Sequence, residues 1–331
     1  MSAQAFTAFR IHQEDGRIVG RLETLTLDDL ADGEVVVKVR YSTINYKDAL
    51  AATGKGKILR KYPLVGGIDL AGEIVSSTDA SLPVGTRVVV TGGGLSETHD
   101  GGYAEYARVK SEWVIPIPAP LDEREAMAIG TAGFTAALAI DRMEHNGQVP
   151  EAGEIVVTGA TGGVGSLAID MLAKRGYRAV AVTGKPTAVP YLEALGAARV
   201  LMRDQIDLGT RPLETAQFAG AIDAVGGDLL AWLTRTVDFH GNIASIGMAA
   251  STELRTTVLP FILRGINLLG INSVHVPRDL RMRIWARLAS DLRPRSLDKI
   301  VTNTVSLRDL PSAFEQYIRG EVIGRTLVTI A

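Results

Sequence analysis

The residues whose types and spacing point most directly to chemistry run from Ile155 to Ser166, Ile-Val-Val-Thr-Gly-Ala-Thr-Gly-Gly-Val-Gly-Ser. An apolar, β-branched run enters a glycine cluster, and Ser166 to Ala173 leave it with helical spacing. A strand, a tight turn and a helix N-terminus are predicted in that order. Backbone N–H groups and the positive end of the helix dipole at such a turn suit a pyrophosphate. Ala160, Gly162 and Gly165 fall on the A/G-x-G-x-x-G spacing, in which the middle glycine lets the backbone approach phosphates and the last allows close helix–strand packing. The segment Thr161, Gly162, Gly163, Val164 and Gly165 is therefore expected to bind a dinucleotide. The alternative is a glycine turn with a purely structural role.

The next strand, 178–182, bears on which dinucleotide. A site for a ribose 2′-hydroxyl usually carries Asp or Glu about 20 residues past the glycines. Here the strand ends in Thr183-Gly184-Lys185. A carboxylate would repel a 2′-phosphate, whereas a hydroxyl and an ammonium can bind one. Tyr191 at the start of the following helix and Arg203 after the third strand are placed to close the adenosine end. NADPH is the expected cofactor, with solvated surface cations as the plainer reading of Lys185 and Arg203.

These segments need elements to hold them. Residues 1–124 read mainly as short strands separated by turns, for example Glu34–Tyr41 and Thr86–Val90, with Asp32-Gly33 and Val84-Gly85 as turn signals. From residue 125 the period becomes helical, and alternating strands and helices follow to residue 246. That is the rhythm of a doubly wound parallel α/β sheet. A further strand is expected over Phe261–Ile271, a helix near 278–290, and a β-rich tail over 296–331. The expected organisation is a β-rich domain (1–124), a Rossmann domain (125–270) and a C-terminal segment (271–331) that returns to the first.

Composition narrows the function classes. The chain has 331 residues, 46% hydrophobic and 22% charged, with a net charge of −2. Those values fit an ordinary globular protein and argue against a general nucleic-acid binder. No apolar run is long enough to span a bilayer, and the N-terminus lacks a signal-peptide layout, so a cytoplasmic location without membrane partners is expected. There is no cysteine, which excludes disulfides, cysteine nucleophiles and thiolate metal sites.

Several further segments carry a resemblance. Asn45-Tyr46-Lys47-Asp48, Pro63 to Gly72, Gly101-Gly102-Tyr103-Ala104-Glu105-Tyr106 and Gly130-Thr131-Ala132-Gly133-Phe134-Thr135-Ala136 occur in this order. Together with the Rossmann pattern they resemble the medium-chain dehydrogenase/reductase superfamily, over essentially the whole chain. The resemblance implies a GroES-like catalytic domain beside the Rossmann domain. Zinc-dependent members use a cysteine three residues before an aspartate, and a histidine in a Gly-His-Glu segment. Here Asn45 stands in the cysteine position and Gly67-Ile68-Asp69 replaces the second segment, so a zinc-independent enzyme is expected. Without a Lewis acid, alcohol chemistry loses its electrophile, and reduction of an activated carbon–carbon double bond remains. Asn45 to Ile58, Ala126 to Thr135 and Pro260 to Gly265 are similar to the bacterial YhdH-type group, which includes NADPH-dependent acrylyl-CoA reductases. Asp100 and Asn272 depart from that group's pattern.

The resemblance implies roles for named residues. Asn45 would bond a substrate carbonyl or the ribose, or serve only as a turn asparagine. Tyr46 would pack on the nicotinamide or protonate an enolate, or simply pack. Asp48 and Asp69 would orient the polar cluster or act as capping carboxylates. Thr131 would lie beneath the nicotinamide ribose. Gly247, Met248, Ile262 and Ser273 would complete the cofactor site, and Arg325 would clamp a phosphate or thioester oxygen. The basic loop from Lys55 to Lys61 either meets coenzyme A phosphates or is a solvated charged loop. The expected function is reduction of acryloyl-CoA to propanoyl-CoA by a homodimer. Quinone or enone reduction, and NADPH binding without catalysis, are the alternatives.

Overall fold

A computed structural model describes residues 5–330 of the chain. It divides into two compact units: residues 1–131, 274–289 and 297–331 form the first, and 132–273 with 290–296 the second.

The first unit is built mainly on antiparallel strands, with Val301–Ser306 and Arg325–Thr329 paired in parallel. Phe6–Glu14 pairs with Arg17–Leu25 and with Leu64–Val65 in a small sheet. A seven-stranded sheet orders Val301–Ser306, Arg325–Thr329, Val35–Ile44, Asp69–Ser77, Arg87–Thr91 and Ile115–Pro116, with Tyr106–Val109 also paired to Val35–Ile44. Its strands carry the β-branched runs Val35-Val36-Val37 and Val88-Val89-Val90, which are buried in the core with Phe9, Ile11, Leu70 and Phe314. Helix Tyr46–Thr53 follows strand Val35–Ile44 in this unit. Asn45 starts it as N-cap, with its N–H donating to Asp48 Oδ2 at 2.8 Å, half of a capping box.

The second unit holds six parallel strands in the order Arg199–Met202, Arg178–Thr183, Glu154–Val157, Phe218–Asp223, Val237–Ser245 and Asn267–Gly270. Numbered by sequence that order is 3-2-1-4-5-6, the Rossmann arrangement. Central strands of such a sheet are covered on both faces and read as continuous apolar runs. Ile155, Val156 and Val157, and Ala179 to Val182, are accordingly all buried.

The compact units divide at 131/132, beside Gly130 (φ 51, ψ −159), where two helical runs within Glu123–His145 meet. Two expectations change. Phe261–Ile271 is not one strand: Pro260 occupies the first turn of a short helix, Leu259–Leu263, and a separate strand begins at Asn267. The tail is mixed rather than β-rich. A capping box between Ser306 and Asp309 opens a helical turn, and Leu310–Ile318 follows as a helix that buries Leu310, Ala313 and Phe314 at helical spacing.

Candidate active site

In the Rossmann unit the glycine segment forms the turn its spacing predicts. Strand Glu154–Val157 leads through it to helix Gly163–Lys174. A Cβ at Gly165 would sit 2.5 Å from Gly159 O and 2.7 Å from Ala160 Cα, so only glycine lets the helix approach the strand this closely. The first intrahelical bond runs from Ser166 N–H to Gly162 O at 2.9 Å. The N–H groups of Gly163, Val164 and Gly165 precede it, and no side chain caps them. Such N–H groups, at the positive end of the dipole, are what a pyrophosphate needs. Thr161 is buried at the turn.

At the end of Arg178–Thr183, the Thr183 hydroxyl accepts the Lys185 N–H at 3.1 Å. The Arg203 guanidinium lies across this turn, 3.2 Å from where a Gly184 Cβ would be. The Thr183 hydroxyl and the Arg203 guanidinium thus flank the turn that carries Lys185, at the strand end where an NAD site usually places its carboxylate. Tyr191 lies on the next helix. Its hydroxyl donates to Ser166 Oγ at 2.9 Å, and burial pushes the phenol up to about 12. It ties its helix to the helix that follows the phosphate turn. On the same unit Gly247 follows strand Val237–Ser245, Met248 and Ile262 are largely exposed, and Ser273 is half-buried. Asp223 closes the neighbouring strand end, accepting from the Thr158 hydroxyl at 2.6 Å and the Gly226 N–H at 2.9 Å. That pair carries no motif, and nothing in the sequence singled it out.

The second group lies wholly in the β-rich unit. Asn45 Nδ2 donates to Asp69 Oδ2 at 2.8 Å, and Asn45 Oδ1 accepts from Arg325 Nη1 at 3.0 Å. Arg325 is buried, and donates also to Thr43 Oγ1 and to the Ile44 and Ala128 carbonyls. Asp69 accepts the Thr131 N–H at 2.9 Å and the Thr131 hydroxyl. Gly130 makes this possible. Its left-handed conformation starts a new helical run at Thr131, and a Cβ there would lie 2.7 Å from Arg325 Nη2 and 2.9 Å from Asp69 Oδ2. Asp48 lies alongside, accepting from Asn45 N and from Ile68 N at 3.0 Å. Arg325 spends four of its five N–H groups on these partners and is buried, so it is placed to fix which way the Asn45 amide points rather than presented to a phosphate.

The web has an inner and an outer layer. Asp48, Asp69 and Arg325 are buried, Asn45 and Thr131 half-buried, and Tyr46 exposed with no hydrogen-bond partner for its hydroxyl among the described residues. The second N–H of Asn45 has only a long contact to Asp48, 3.4 Å, so the amide still offers a donor. Thr43, Gly130 and Tyr103 belong to this web, although sequence reasoning assigned them no role. His99 is buried with both ring nitrogens on the Asp32 and Asp100 carbonyls, and Asp100 holds the Ala31 and Val65 N–H groups. Neither belongs to the site.

Burial pushes Asp48 up to about 7, with the Asp69 charge adding to the shift and the Asn45 N–H opposing it. Burial raises Asp69 as well, resisted by the Thr131 bonds and the Arg325 charge. An unfolded aspartate loses its proton near pH 4. The folded state therefore holds a proton that the unfolded chain has lost between about pH 4 and pH 7. Asp48 favours folding fully at the acid end, and this contribution drains away as pH rises through that window. Melting temperatures should thus fall from pH 5 to 7.5, and Asp48→Asn should flatten the slope. An unchanged slope in the variant would remove Asp48 as its source.

The web does not suit zinc. Asn45 Oδ1 faces a guanidinium that would repel a cation, and Ile68 has no donor atom. Among the described residues no three His, Asp or Glu side chains converge as metal ligands.

Comparison with known proteins agrees with this architecture. A model of the alcohol dehydrogenase GroES-like domain matches residues 31–119, and one of the zinc-binding dehydrogenases matches residues 163–290. The chain is 44% identical over 319 residues to the acrylyl-CoA reductase AcuI of Ruegeria pomeroyi, covering 96% of each protein. It is 45% identical to the yhdH oxidoreductase of Salmonella enterica, whose crystal structure is a complex with NADP, at TM-score 0.95 over 98% of this chain and 100% of that one. The Bacillus subtilis protein yhfP, solved with NAD bound, is 44% identical at TM-score 0.96, covering 99% and 100%. Similarity at this level along the whole length, on a Rossmann unit and a GroES-like unit, places the chain in the medium-chain dehydrogenase/reductase superfamily and within its YhdH-type group.

Proposed function

We propose that this protein is a zinc-independent, NADPH-dependent reductase of an activated carbon–carbon double bond, with acryloyl-CoA as substrate and propanoyl-CoA as product. The observation that carries this reading is the orientation of the Asn45 amide. Arg325 holds Oδ1 and Asp69 holds Nδ2, so an N–H donor with fixed polarity stands where a metal-dependent relative would hold its Lewis acid. An amide N–H cannot replace zinc in activating an alcohol. It can stabilise the negative charge that develops on a thioester oxygen as an enolate forms. The Gly162–Gly165 turn suits the pyrophosphate, and Thr183, Lys185 and Arg203 suit a 2′-phosphate. When bound, NADPH supplies the hydride that reaches the substrate β-carbon. The α-carbon then takes a proton, for which the exposed, unpartnered Tyr46 hydroxyl is the candidate donor. With Asp48 protonated, Asp69 and Arg325 balance, and the web presents no net charge to the substrate.

The Ruegeria and Salmonella relatives support this reading. Quinone or enone reduction is the second reading, favoured by the provisional naming of the Bacillus relative as a quinone oxidoreductase. Loss of absorbance at 340 nm with NADPH, and separately with NADH, against acryloyl-CoA, crotonyl-CoA and a benzoquinone tests both. Turnover with NADPH and acryloyl-CoA is expected. Preference for the quinone would install the second reading, and silence across the panel would leave only cofactor binding.

The same reading includes a cytoplasmic homodimer. No helix among the described residues is long and apolar enough to cross a membrane. Strand Asn267–Gly270 ends the six-stranded sheet with Leu268 37% exposed, and Val258 and Leu263 nearby are 65% and 55% exposed. An open strand edge beside an apolar patch suits a second copy. Light scattering should give twice the chain mass, and Leu268→Lys should lower it towards one chain. A monomeric wild type would end this part of the proposal.

A further inference from the structure

Helix Tyr46–Thr53 begins at the Asn45 web and ends in a loop, Lys55-Gly56-Lys57-Ile58-Leu59-Arg60-Lys61. Lys55, Lys57, Arg60 and Lys61 are all exposed, and none has an ion-pair partner among the described residues. Several other exposed cations are paired, Arg21 with Glu14 and Glu23, Arg211 with Glu214, Arg255 with Glu253, and Arg319 with Glu321, while ones unpaired among the described residues, such as Arg17 and Arg308, are not clustered in one loop. The loop is also held in place. Leu59 is buried in the core, Gly56 N–H bonds Leu50 O at 3.2 Å, and Arg60 N–H bonds Glu97 O at 2.7 Å. Glu97 is the acid that this last contact brings to the loop, and its carboxylate is already engaged by Lys47. Four unpaired positive charges are thus fixed within seven residues of a chain whose net charge is −2. Such a cluster repels itself unless an anion covers it.

We propose that Lys55, Lys57, Arg60 and Lys61 form the docking site for the phosphates of the coenzyme A handle of the substrate. This rests on the acyl-CoA reading above. The helix between loop and web has eight residues, about 12 Å of rise, a separation that an extended pantetheine arm can span. The three phosphates of coenzyme A match a cluster of lysines and an arginine better than a quinone or a free enone does. The loop therefore selects the carrier, and the web acts on the acyl group.

The test compares kcat/KM for acryloyl-CoA with that for acryloyl-pantetheine, which lacks the phosphates. Wild type is set against Lys55→Gln/Lys57→Gln/Arg60→Gln/Lys61→Gln, with Lys38→Gln/Arg40→Gln as the charge-removal control. The wild-type ratio should favour the coenzyme A thioester and shrink as salt is raised. In the loop variant it should fall roughly tenfold to a hundredfold, the combined effect of four exposed charge contacts. The ratio cancels any general loss of activity, and the control should retain it. An unchanged ratio in a folded loop variant would overturn the proposal, as would a rise in the KM for NADPH in place of that for acryloyl-CoA. Calorimetry of free coenzyme A and dephospho-coenzyme A separates this proposal from the reaction on which it rests. If wild type reduces neither thioester yet binds coenzyme A through the loop, the reaction assignment fails and the docking site stands. If coenzyme A binding is the same in both proteins, the docking site fails whatever the reaction.

Discussion

Arg325→Leu is expected to cost about 3–5 kcal/mol of folding free energy, the scale for removing one partner of a buried, hydrogen-bonded charge. Arg325 is 2% exposed and donates to Asn45 Oδ1, Thr43 Oγ1 and the Ile44 and Ala128 carbonyls. Leucine fills part of the volume but removes the donor that holds Asn45 Oδ1 and Thr43 Oγ1 and the charge that compensates Asp69. Urea unfolding followed by circular dichroism at pH 7 would measure the loss, with a fall in melting temperature of about 4–7 °C expected alongside for a chain of this length. Arg325→Lys should recover only part of it, because an ammonium cannot reproduce the fork that reaches Asn45 and Thr43 together. The functional signature should appear in kcat rather than KM, since the amide that Arg325 orients is asked to stabilise charge only in the transition state. A loss below about 1 kcal/mol, the range of an exposed ion pair, would contradict the buried role assigned to Arg325.

Thr183→Asp should overturn the cofactor preference. A carboxylate at this position would accept from a ribose 2′-hydroxyl and repel a 2′-phosphate, and it would face the Lys185 backbone and the Arg203 guanidinium across the turn. The ratio of NADPH to NADH affinity should fall by about 2–4 kcal/mol, or roughly thirtyfold to a thousandfold. Thr183 is buried, so a carboxylate there strains the fold as well. Arg203→Gln provides an independent arm, since it touches no core contact and should lower NADPH affinity while sparing NADH. Fluorescence titration of both nucleotides against both variants gives the four dissociation constants required. Equal losses for the two cofactors would show that this turn does not read the 2′-phosphate.

The sequence by itself determined the Rossmann unit and its phosphate turn. Those features rest on local rules: a β-branched run, glycines at fixed offsets and a helical period all act within about twenty residues of one another. The absence of cysteine and, through the resemblance, Ile68 in place of a histidine likewise pointed away from a zinc site before any fold was known. Asn45, Asp48, Asp69, Thr131 and Arg325 were recognised as a group through resemblance, but their roles were not legible. Residue type alone did not distinguish an arginine that clamps a substrate from one that is buried and directs an amide. That distinction depends on contacts spanning 280 residues, between Arg325 and Asn45, and on a positive φ at Gly130 that no spacing rule signals. The same limit explains the tail, where a period-2 reading missed the helix Leu310–Ile318, whose burial of Phe314 against Phe9 and Tyr103 only the folded core supplies. Local patterns fixed where the cofactor turn must be, while tertiary packing decided which polar atoms remain free to act, because only burial sets which hydrogen bonds must be satisfied internally.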